Sequence, residues 1–311
     1  MKLKKFLPLI GVALFIYIVY SIGLSRISQA FLEVKPSYLL LGAFLILLKP
    51  ILESLKWYSI LNLQKIKIDF PYIFQVNLIS QYYGAITPGK IGSLVKAFYL
   101  KKKTNLPLST TSSSVMIDRL LDLIIVAALS AVGVLILADA FLIDFNKTAI
   151  ILALIVLGSL VLLNKNLTRL CLKLFYEFFT PKKYKAILRK NFHLFYNNFP
   201  KIRELFVPFA ITAFIWVYMY SIAYVFALAF SLTEVPFIPF IMISAIGTII
   251  ALIPITVSGL GTREAFLIGT LGVYGAAPEK IVLMSVTGTI VLTTIYVIGG
   301  LICIYKGKAK L

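Results

Sequence analysis

The stretch ITPGKIGS at residues 86–93 interrupts an apolar run that extends from Phe70 to Leu100. A second stretch, ITVSGLGT at residues 255–262, interrupts the apolar run from Pro236 to Tyr274. The two stretches align without a gap. Gly and Pro clusters inside a membrane are tolerated only where the backbone is buried in protein or lines a cavity. Both stretches therefore predict broken helices or re-entrant helical hairpins.

The composition of the chain is typical of a polytopic membrane protein. Of its 311 residues, 60% are hydrophobic and 14% are charged, whereas soluble domains have about 25% charged residues. The net charge is +19, but this apolarity excludes a soluble nucleic-acid-binding protein. Two cysteines and one histidine exclude a disulfide framework and a histidine-rich metal site. We expect no cofactor and no bound metal.

Six further segments provide the run of about 20 apolar residues that a membrane-crossing helix needs. They are Phe6–Leu24, Tyr38–Leu61, Val115–Ala138, Thr148–Leu163, Phe206–Phe230 and Ile281–Tyr305. The first is longer than the h-region of about 7–15 residues in a signal peptide, so we expect it to be retained. The predicted fold is an all-α polytopic membrane protein with about six full spans and two re-entrant or broken-helix hairpins, giving eight hydrophobic segments.

The distribution of positive charge predicts the orientation of this single membrane domain, residues 1–311. With both termini in the cytoplasm, 23 of the 31 Lys and Arg residues lie inside, 4 lie outside and 4 lie within spans, as the positive-inside rule requires. The inside segments include a basic connection at residues 165–205 with ten Lys and Arg residues. This connection either attracts anionic lipids of the inner leaflet or only determines topology. We expect a multi-pass protein of the cell membrane.

The two aligned stretches also predict an internal repeat, with one unit at about residues 1–140 and the other at about 145–311. Each unit has three full spans, an odd number, so the second unit is expected to be inverted relative to the first. The first hairpin then enters the membrane from the inside and the second from the outside. Inverted repeats with discontinuous helices are typical of transporters whose substrate site lies near the midplane. The alternative is that apolar sequences rich in Gly and Pro align by chance.

Eight charged residues lie inside the apolar segments, and their charges cancel. They are Lys49, Glu53, Lys56, Asp118, Arg119, Asp122, Arg263 and Glu264. Each costs about 2.5–3.5 kcal/mol at the centre of a membrane helix, so we expect them to form pairs or to face a polar cavity. One alternative is an ion-pair network that only fixes helix packing. Another is that Lys56, Asp118 and Arg119 snorkel at the cytoplasmic edge.

Each glycine stretch is followed by a predicted helix start, at Ser93 or Thr262. A helix N-terminus presents unpaired N–H groups and the positive end of its dipole, and Ser and Thr are good N-cap residues. Glycine beside such a start allows close approach of a phosphate or carboxylate. The predicted ligand is therefore anionic or zwitterionic, such as a membrane phospholipid or a lipid-linked headgroup. The alternative is that these glycines only turn the chain.

Together, these patterns give one set of predicted substrate-binding residues. They are Glu53, Thr87, Pro88, Gly89, Lys90, Gly92, Lys96, Asp118, Arg119, Asp122, Ser258, Gly259, Gly261, Thr262, Arg263 and Glu264. No catalytic constellation is found, because the single histidine, His193, falls in the basic connection. We therefore expect a protein that is not an enzyme.

Two motifs resemble a known family. The sequence TPGKIG at residues 87–92, followed by Lys96 and by DRLLD at 118–122, resembles the flippase-like transmembrane region of lysylphosphatidylglycerol synthases. So does the second half from Ile253 to Ala265. In fused members such as the multiple peptide resistance factor, this region is thought to move an aminoacylated phospholipid between leaflets, while a separate soluble domain makes that lipid.

The resemblance implies a lipid flippase or transporter. Because the sequence ends at Leu311, we expect no soluble synthase domain and no synthesis of lysyl-lipid. The substrate expected is an anionic or zwitterionic phospholipid or glycophospholipid. The alternatives are an intramembrane lipid-modifying transferase and an accessory membrane subunit of an enzyme of lipid or glycan biosynthesis.

Overall fold

The structure is a computed structural model that describes residues 7–87, 92–141, 199–252 and 259–305, with short pieces between 150 and 195. Every regular element in these ranges is helical, which confirms the all-α class. The helices are α1 (Leu7–Ile22), α2 (Leu24–Leu32), α3 (Pro36–Ile46), α4 (Lys49–Leu63), α5 (Phe70–Ile86), α6 (Val95–Thr104), α7 (Leu108–Phe141), α8 (Phe206–Ala229), α9 (Phe237–Leu252), α10 (Thr262–Leu271) and α11 (Pro278–Tyr305). Short 3-10 turns precede α8 and follow α10.

Within the described ranges, four helical segments are long and apolar enough to cross a membrane. They are Pro36–Leu63, Leu108–Leu137, Ile202–Ala229 and Pro278–Tyr305. Each coincides with one of the predicted spans. The predicted span Thr148–Leu163 and the basic connection, including His193, lie largely outside the described residues.

The first predicted span is shorter than expected and bent. Helix α1 ends at Ile22, and the chain turns by 79° into α2, so the described residues contain a fifth span only if this bent pair is counted as one. Gly23 occupies the bend with φ of 92°, a conformation that strains residues with a Cβ atom. The glycine therefore ends the span before Leu24.

A proline interrupts the next span and positions its charges. Pro50 cannot donate a backbone hydrogen bond, and residues 47–48 between α3 and α4 form a turn instead of helix. The Tyr218 hydroxyl of α8 donates to the carbonyl of Leu45 at this break, at 2.8 Å. Lys49 and Glu53 occupy the first turns of α4, directly after the interruption.

Each glycine stretch joins two helices that fold back on each other. In the first hairpin, Gly84 of α5 lies against Ser93, which precedes α6. In the second, Gly247 of α9 lies against Phe266 and Leu267 of α10. The two helices that flank each glycine stretch are therefore in contact with each other. We call α5 and α6 the first hairpin and α9 and α10 the second, and their re-entrant course in a membrane stays a prediction.

The two hairpins pack reciprocally. Helix α5 of the first hairpin lies along α11, the span that follows the second hairpin, whereas α9 of the second hairpin lies along α7, the span that follows the first. Helices α5 and α11 approach closely because Gly300 has no side chain. A Cβ at this position would collide with the Cβ of Tyr82. The inverted relation of the two units stays a prediction, but this exchange of partners is what a two-fold repeat produces.

Candidate functional site

Glu53 of α4 is the centre of a buried polar cluster, and three helices supply its partners. Its Oε1 atom lies 2.7 Å from the Lys49 ammonium. Its Oε2 atom accepts hydrogen bonds from the Tyr296 hydroxyl of α11 and from the Gln81 amide of α5, each at 2.8 Å. Lys49 also donates to the Tyr296 hydroxyl oxygen at 2.8 Å. The carboxylate is thus held by α4, α5 and α11 together.

A second group of charges lies on the next turn of α4. The Lys56 ammonium lies 2.8 Å from both Asp118 Oδ1 and Asp122 Oδ1 of α7. Asp118 also pairs with Lys96 of α6 at 3.3 Å, and Trp216 of α8 donates to Asp122 at 3.0 Å. Lys56 and Asp118 are each only 2% exposed. Their charged groups therefore contact each other inside the bundle and do not snorkel to its edge.

Lys96 is more deeply buried than its sequence position suggests. The topology count places it with the basic residues of an inner segment, yet it is 1% exposed, and its ammonium lies 4.9 Å from the ring centroid of Trp57. The described charges of this first-half group are Lys49, Lys56, Lys96, Arg119, Glu53, Asp118 and Asp122. Four cations thus face three carboxylates, so the group has a net charge of +1.

The second hairpin has its own ion pair. Arg263 and Glu264 open α10, with 2.8 Å between the guanidinium and Glu264 Oε1. Glu264 is fully buried and accepts further hydrogen bonds from the Ser285 hydroxyl of α11 and from the Gly261 amide, both at 2.7 Å. Arg263 also donates to Thr289 of α11 at 2.8 Å. This pair is electrically neutral.

The predicted pairing of intramembrane charges is therefore present in both halves. A buried carboxylate whose cationic partner is removed becomes an uncompensated charge, which costs about 3–5 kcal/mol. This explains why these side chains have several partners each. Within the described ranges, no three Asp, Glu, His or Cys residues are grouped so that they could hold a metal ion.

The glycines of the hairpins are required by their backbone geometry. A Cβ at Gly92 would collide with the Tyr83 carbonyl oxygen and lie 2.7 Å from Thr87 Oγ1. Gly259 and Gly261 have φ of 79° and 83°, in the left-handed region that favours glycine. The interpretation that these glycines turn the chain is supported.

The predicted helix start at Thr262 is confirmed, but neither Ser93 nor Thr262 is an N-cap. Leu94, not Ser93, precedes α6, after a 3-10 turn, and the Ser93 hydroxyl accepts a hydrogen bond from Arg119 of α7. Gly261 is the N-cap of α10, and the hydroxyl of Thr262 donates to the Gly259 carbonyl at 3.2 Å. The amides of Gly92 and Gly261 are bonded to Thr87 and Glu264. Side chains of the hairpins thus take up donors that were expected to face a ligand.

The structure brings the seven charged residues of the sixteen predicted site residues that it describes into these two groups. Four of the sixteen, Pro88, Gly89, Lys90 and Ser258, lie outside the described residues. The uncharged residues that hydrogen-bond to the charged groups were not predicted from the sequence. They are Asn77, Gln81, Trp216, Ser285, Thr289 and Tyr296. A signal for some of them exists, because Asn77 and Gln81 are one helical turn apart in an apolar helix, as are Ser285 and Thr289.

The sequence family is decided by a match that covers nearly the whole chain. Residues 7–300 match the family described as the lysylphosphatidylglycerol synthase TM region. The chain belongs to this family. The motifs TPGKIG and DRLLD, which suggested it, both fall in the matched range, and the hairpins and charged groups are thus features of a member of the family.

Two curated relatives are archaeal membrane proteins. A UPF0104 membrane protein of Methanocaldococcus jannaschii is 27% identical over 279 residues, which cover 83% of this chain and 81% of the relative. A UPF0104 membrane protein of Methanothermobacter thermautotrophicus is 27% identical in an alignment 327 positions long, gaps included. The alignment covers 97% of this chain and 93% of the relative. The similarity to both extends over most of each chain.

Proposed function

We propose that this protein is a flippase that moves an anionic or zwitterionic phospholipid or glycophospholipid between membrane leaflets. The observation that carries the proposal is the position of the two charged groups, one beside each hairpin turn and both bonded to α11. Thr289 contacts the second-half pair and Tyr296 contacts the first-half group. Seven residues of helix separate them, which is about 10 Å along the axis.

The net charge of the first-half group supports an anionic ligand group. Its four cations and three carboxylates leave one positive charge without a counter-charge among the described residues, in a place where ionised groups are costly unless paired. A lipid phosphate supplies the missing negative charge. In this account Lys90, Lys96 and Arg263 attract the phosphate, while Glu53, Asp122 and Glu264 contact a cationic headgroup or balance the cations.

Exchange of ion-pair partners provides a mechanism for transfer. A phosphate that pairs with Lys96 or Arg263 releases Asp118 or Glu264, whose remaining partners Lys56 and Ser285 keep the carboxylate bonded. Asp118 therefore stays paired with a cation, whereas Glu264 keeps only hydrogen bonds from the neutral Ser285 hydroxyl and Gly261 amide. Handover from one group to the other requires a displacement of about two turns along α11.

The reciprocal packing of hairpins and spans supports alternating access. We place the two units as inverted repeats, with the termini in the cytoplasm and the protein in the cell membrane. Rocking of one unit against the other then exposes the charged groups first to one leaflet and then to the other. The basic connection 165–205 adds attraction for anionic lipids of the inner leaflet.

The experiment is an exchange assay in proteoliposomes with headgroup-varied fluorescent phospholipids. Wild-type protein is expected to accelerate exchange of at least one anionic or zwitterionic lipid, and Arg263→Ala to reduce it about tenfold, as for the loss of one charge-assisted contact. Lys35→Ala, which alters an exposed lysine, is the control. Equal rates for wild type and Arg263→Ala contradict the role of Arg263. Recovery of a chemically altered lipid would favour a transferase instead.

A further inference from the structure

A groove of about 460 Å³ lies between α1 and α10. Its walls are α1, which contributes Leu14 and Ile18, and α10, which contributes Ala265 and Ile268. The first residues of α11, Pro278 and Glu279, also line the groove. This volume lies within the range of about 300–1,000 Å³ that small-molecule sites occupy, and the walls are mainly apolar.

Two opposite charges line the groove. Arg26 of α2 and Glu279 of α11 both line the groove, together with Ile22 at the end of α1. Neither charge forms an ion pair with any residue in the described ranges. An apolar channel with one cation and one anion on its walls is complementary to a zwitterionic phospholipid, whose acyl chain is apolar and whose headgroup has a phosphate beside an amine.

Helix α2 has the form of a helix that lies in the membrane surface. It turns by 79° from α1, with the side chains of Leu24, Phe31 and Leu32 exposed and Ala30 buried. Apolar and polar residues lie on different sides of this helix, and amphipathic helices of this kind lie along the bilayer interface. Arg26 is therefore at the depth where lipid phosphates lie.

The groove also reaches the second hairpin. A Cβ at Gly261 would collide with the Gly11 carbonyl of α1 and lie 3.2 Å from the Cβ of Leu14. Leu14 is also a wall residue of the groove. The groove therefore leads from the α2 end of the bundle to the turn that precedes Arg263 and Glu264.

We propose that this groove, bounded by Leu14, Ile18, Ala265 and Ile268, binds one acyl chain of a zwitterionic aminophospholipid, with its phosphate at Arg26 and its amine at Glu279. The inference rests on the proposed function in one respect, namely that the bound lipid is on its way to the charged groups. Binding itself needs no transport. With the termini in the cytoplasm, the groove faces the outer leaflet.

Lipid retention by purified full-length protein tests the binding step. Protein is delipidated in detergent, incubated with equal amounts of phosphatidylethanolamine and phosphatidylglycerol, and examined by native mass spectrometry. Wild type is expected to retain phosphatidylethanolamine preferentially. Glu279→Gln is expected to abolish the preference, and Arg26→Gln to weaken retention of both lipids about tenfold, since each removes one charge-assisted hydrogen bond.

A bulky substitution tests the groove itself. Ile268→Trp fills it and is expected to reduce retention as strongly as Arg26→Gln. Ile290→Trp introduces the same side chain at an exposed position of α11 and is expected to leave retention unchanged. Equal retention by wild type, Arg26→Gln and Ile268→Trp overturns the proposal. The proposal is also overturned if both Trp variants lose lipid retention equally while each keeps the thermal stability of wild type.

The exchange assay separates this proposal from the proposed function. Ile268→Trp is expected to lose both retention and exchange, because it fills the groove on the proposed path of the lipid. If the protein retains phosphatidylethanolamine but no form of it exchanges lipid, the groove proposal is supported and the flippase proposal is contradicted. Exchange that is unaffected by Ile268→Trp would contradict the position of the groove on the transport path.

Discussion

The Tyr296 hydroxyl of α11 donates a hydrogen bond to the Glu53 carboxylate of α4 at 2.8 Å, across 243 residues of sequence. This bond joins the span after the second hairpin to the broken span before the first. On the same helix, the Thr289 hydroxyl accepts a hydrogen bond from Arg263. Helix α11 is thus the element through which the two charged groups are held in a fixed relation.

Tyr296→Phe is expected to destabilise the protein. It removes one of the donors to a buried carboxylate, and a hydrogen bond to a charged group contributes about 1.5–3 kcal/mol. The measurement is thermal unfolding of purified protein in detergent. Tyr305→Phe is the control, because Tyr305 lies on the same helix and is 87% exposed. A melting temperature equal for both variants would show that the Tyr296 bond adds nothing.

Lys56→Met is expected to have a larger effect. It leaves Asp118 and Asp122 without their shared cation, and breaking a buried pair from one side costs about 3–5 kcal/mol. The double variant Lys56→Met/Asp122→Asn is expected to recover part of this loss, since among the described residues Lys56 is the cation paired with Asp122, whereas Asp118 keeps its pair with Lys96. The unfolding free energies of wild type, the two single variants and the double variant are measured in a denaturing detergent. They give the coupling energy between the two substituted residues.

Lys101→Met provides the matched control for that cycle. Lys101 is an exposed lysine of α6, so its replacement is expected to change the unfolding free energy by less than about 0.5 kcal/mol. The account is contradicted if Lys56→Met is no more harmful than Lys101→Met, or if the two substitutions of the cycle are additive.

Gly92→Ala is expected to disturb the first hairpin and to slow lipid exchange. The new methyl group would collide with the Tyr83 carbonyl, which already accepts a hydrogen bond from Thr87 at 2.7 Å. Gly269→Ala is the control, because a Cβ at this helical position meets nothing within 4 Å, and it is expected to stabilise by about 0.5–1 kcal/mol. Melting temperature and exchange rate are measured on both. Equal behaviour would mean that the hairpin turn tolerates a side chain.

Lys96→Gln is expected to change selectivity between lipids. It lowers the net charge of the first-half group from +1 to zero, so exchange of an anionic lipid is expected to fall more than that of a zwitterionic lipid. The measurement is the ratio of initial exchange rates for phosphatidylglycerol and phosphatidylethanolamine. An unchanged ratio, with both rates reduced alike, would assign Lys96 to packing alone.

Local spacing predicted the features that depend on neighbours in sequence. The glycine stretches indicated both hairpins, and the i, i+4 spacing of Lys49 and Glu53 indicated a pair that the structure contains. The helix caps were misassigned, because the preference of Ser93 for an N-cap is overridden by a hydrogen bond from Arg119 on another helix. Intrinsic preferences decide an end of a helix only where tertiary contacts do not.

Long-range partners could not be read from the sequence. Lys96 follows the hairpin and precedes the inner lysines of α6, so its position in the chain suggested an aqueous end. Its burial results from Asp118, which α7 brings beside it. Tyr296 has no feature in sequence that distinguishes it from an interfacial tyrosine, and only the packing of α11 on α5 places it at Glu53.

The most direct test of the central claim is the rate at which purified wild-type protein exchanges a fluorescent phospholipid between the leaflets of a liposome. Vesicles with one protein each are compared with protein-free vesicles of the same composition, and outer-leaflet label is removed chemically over time. The account predicts that the protected fraction of label falls well below that of protein-free vesicles for an anionic or zwitterionic phospholipid. A protected fraction equal to that of protein-free vesicles, for every lipid class tested, would contradict it.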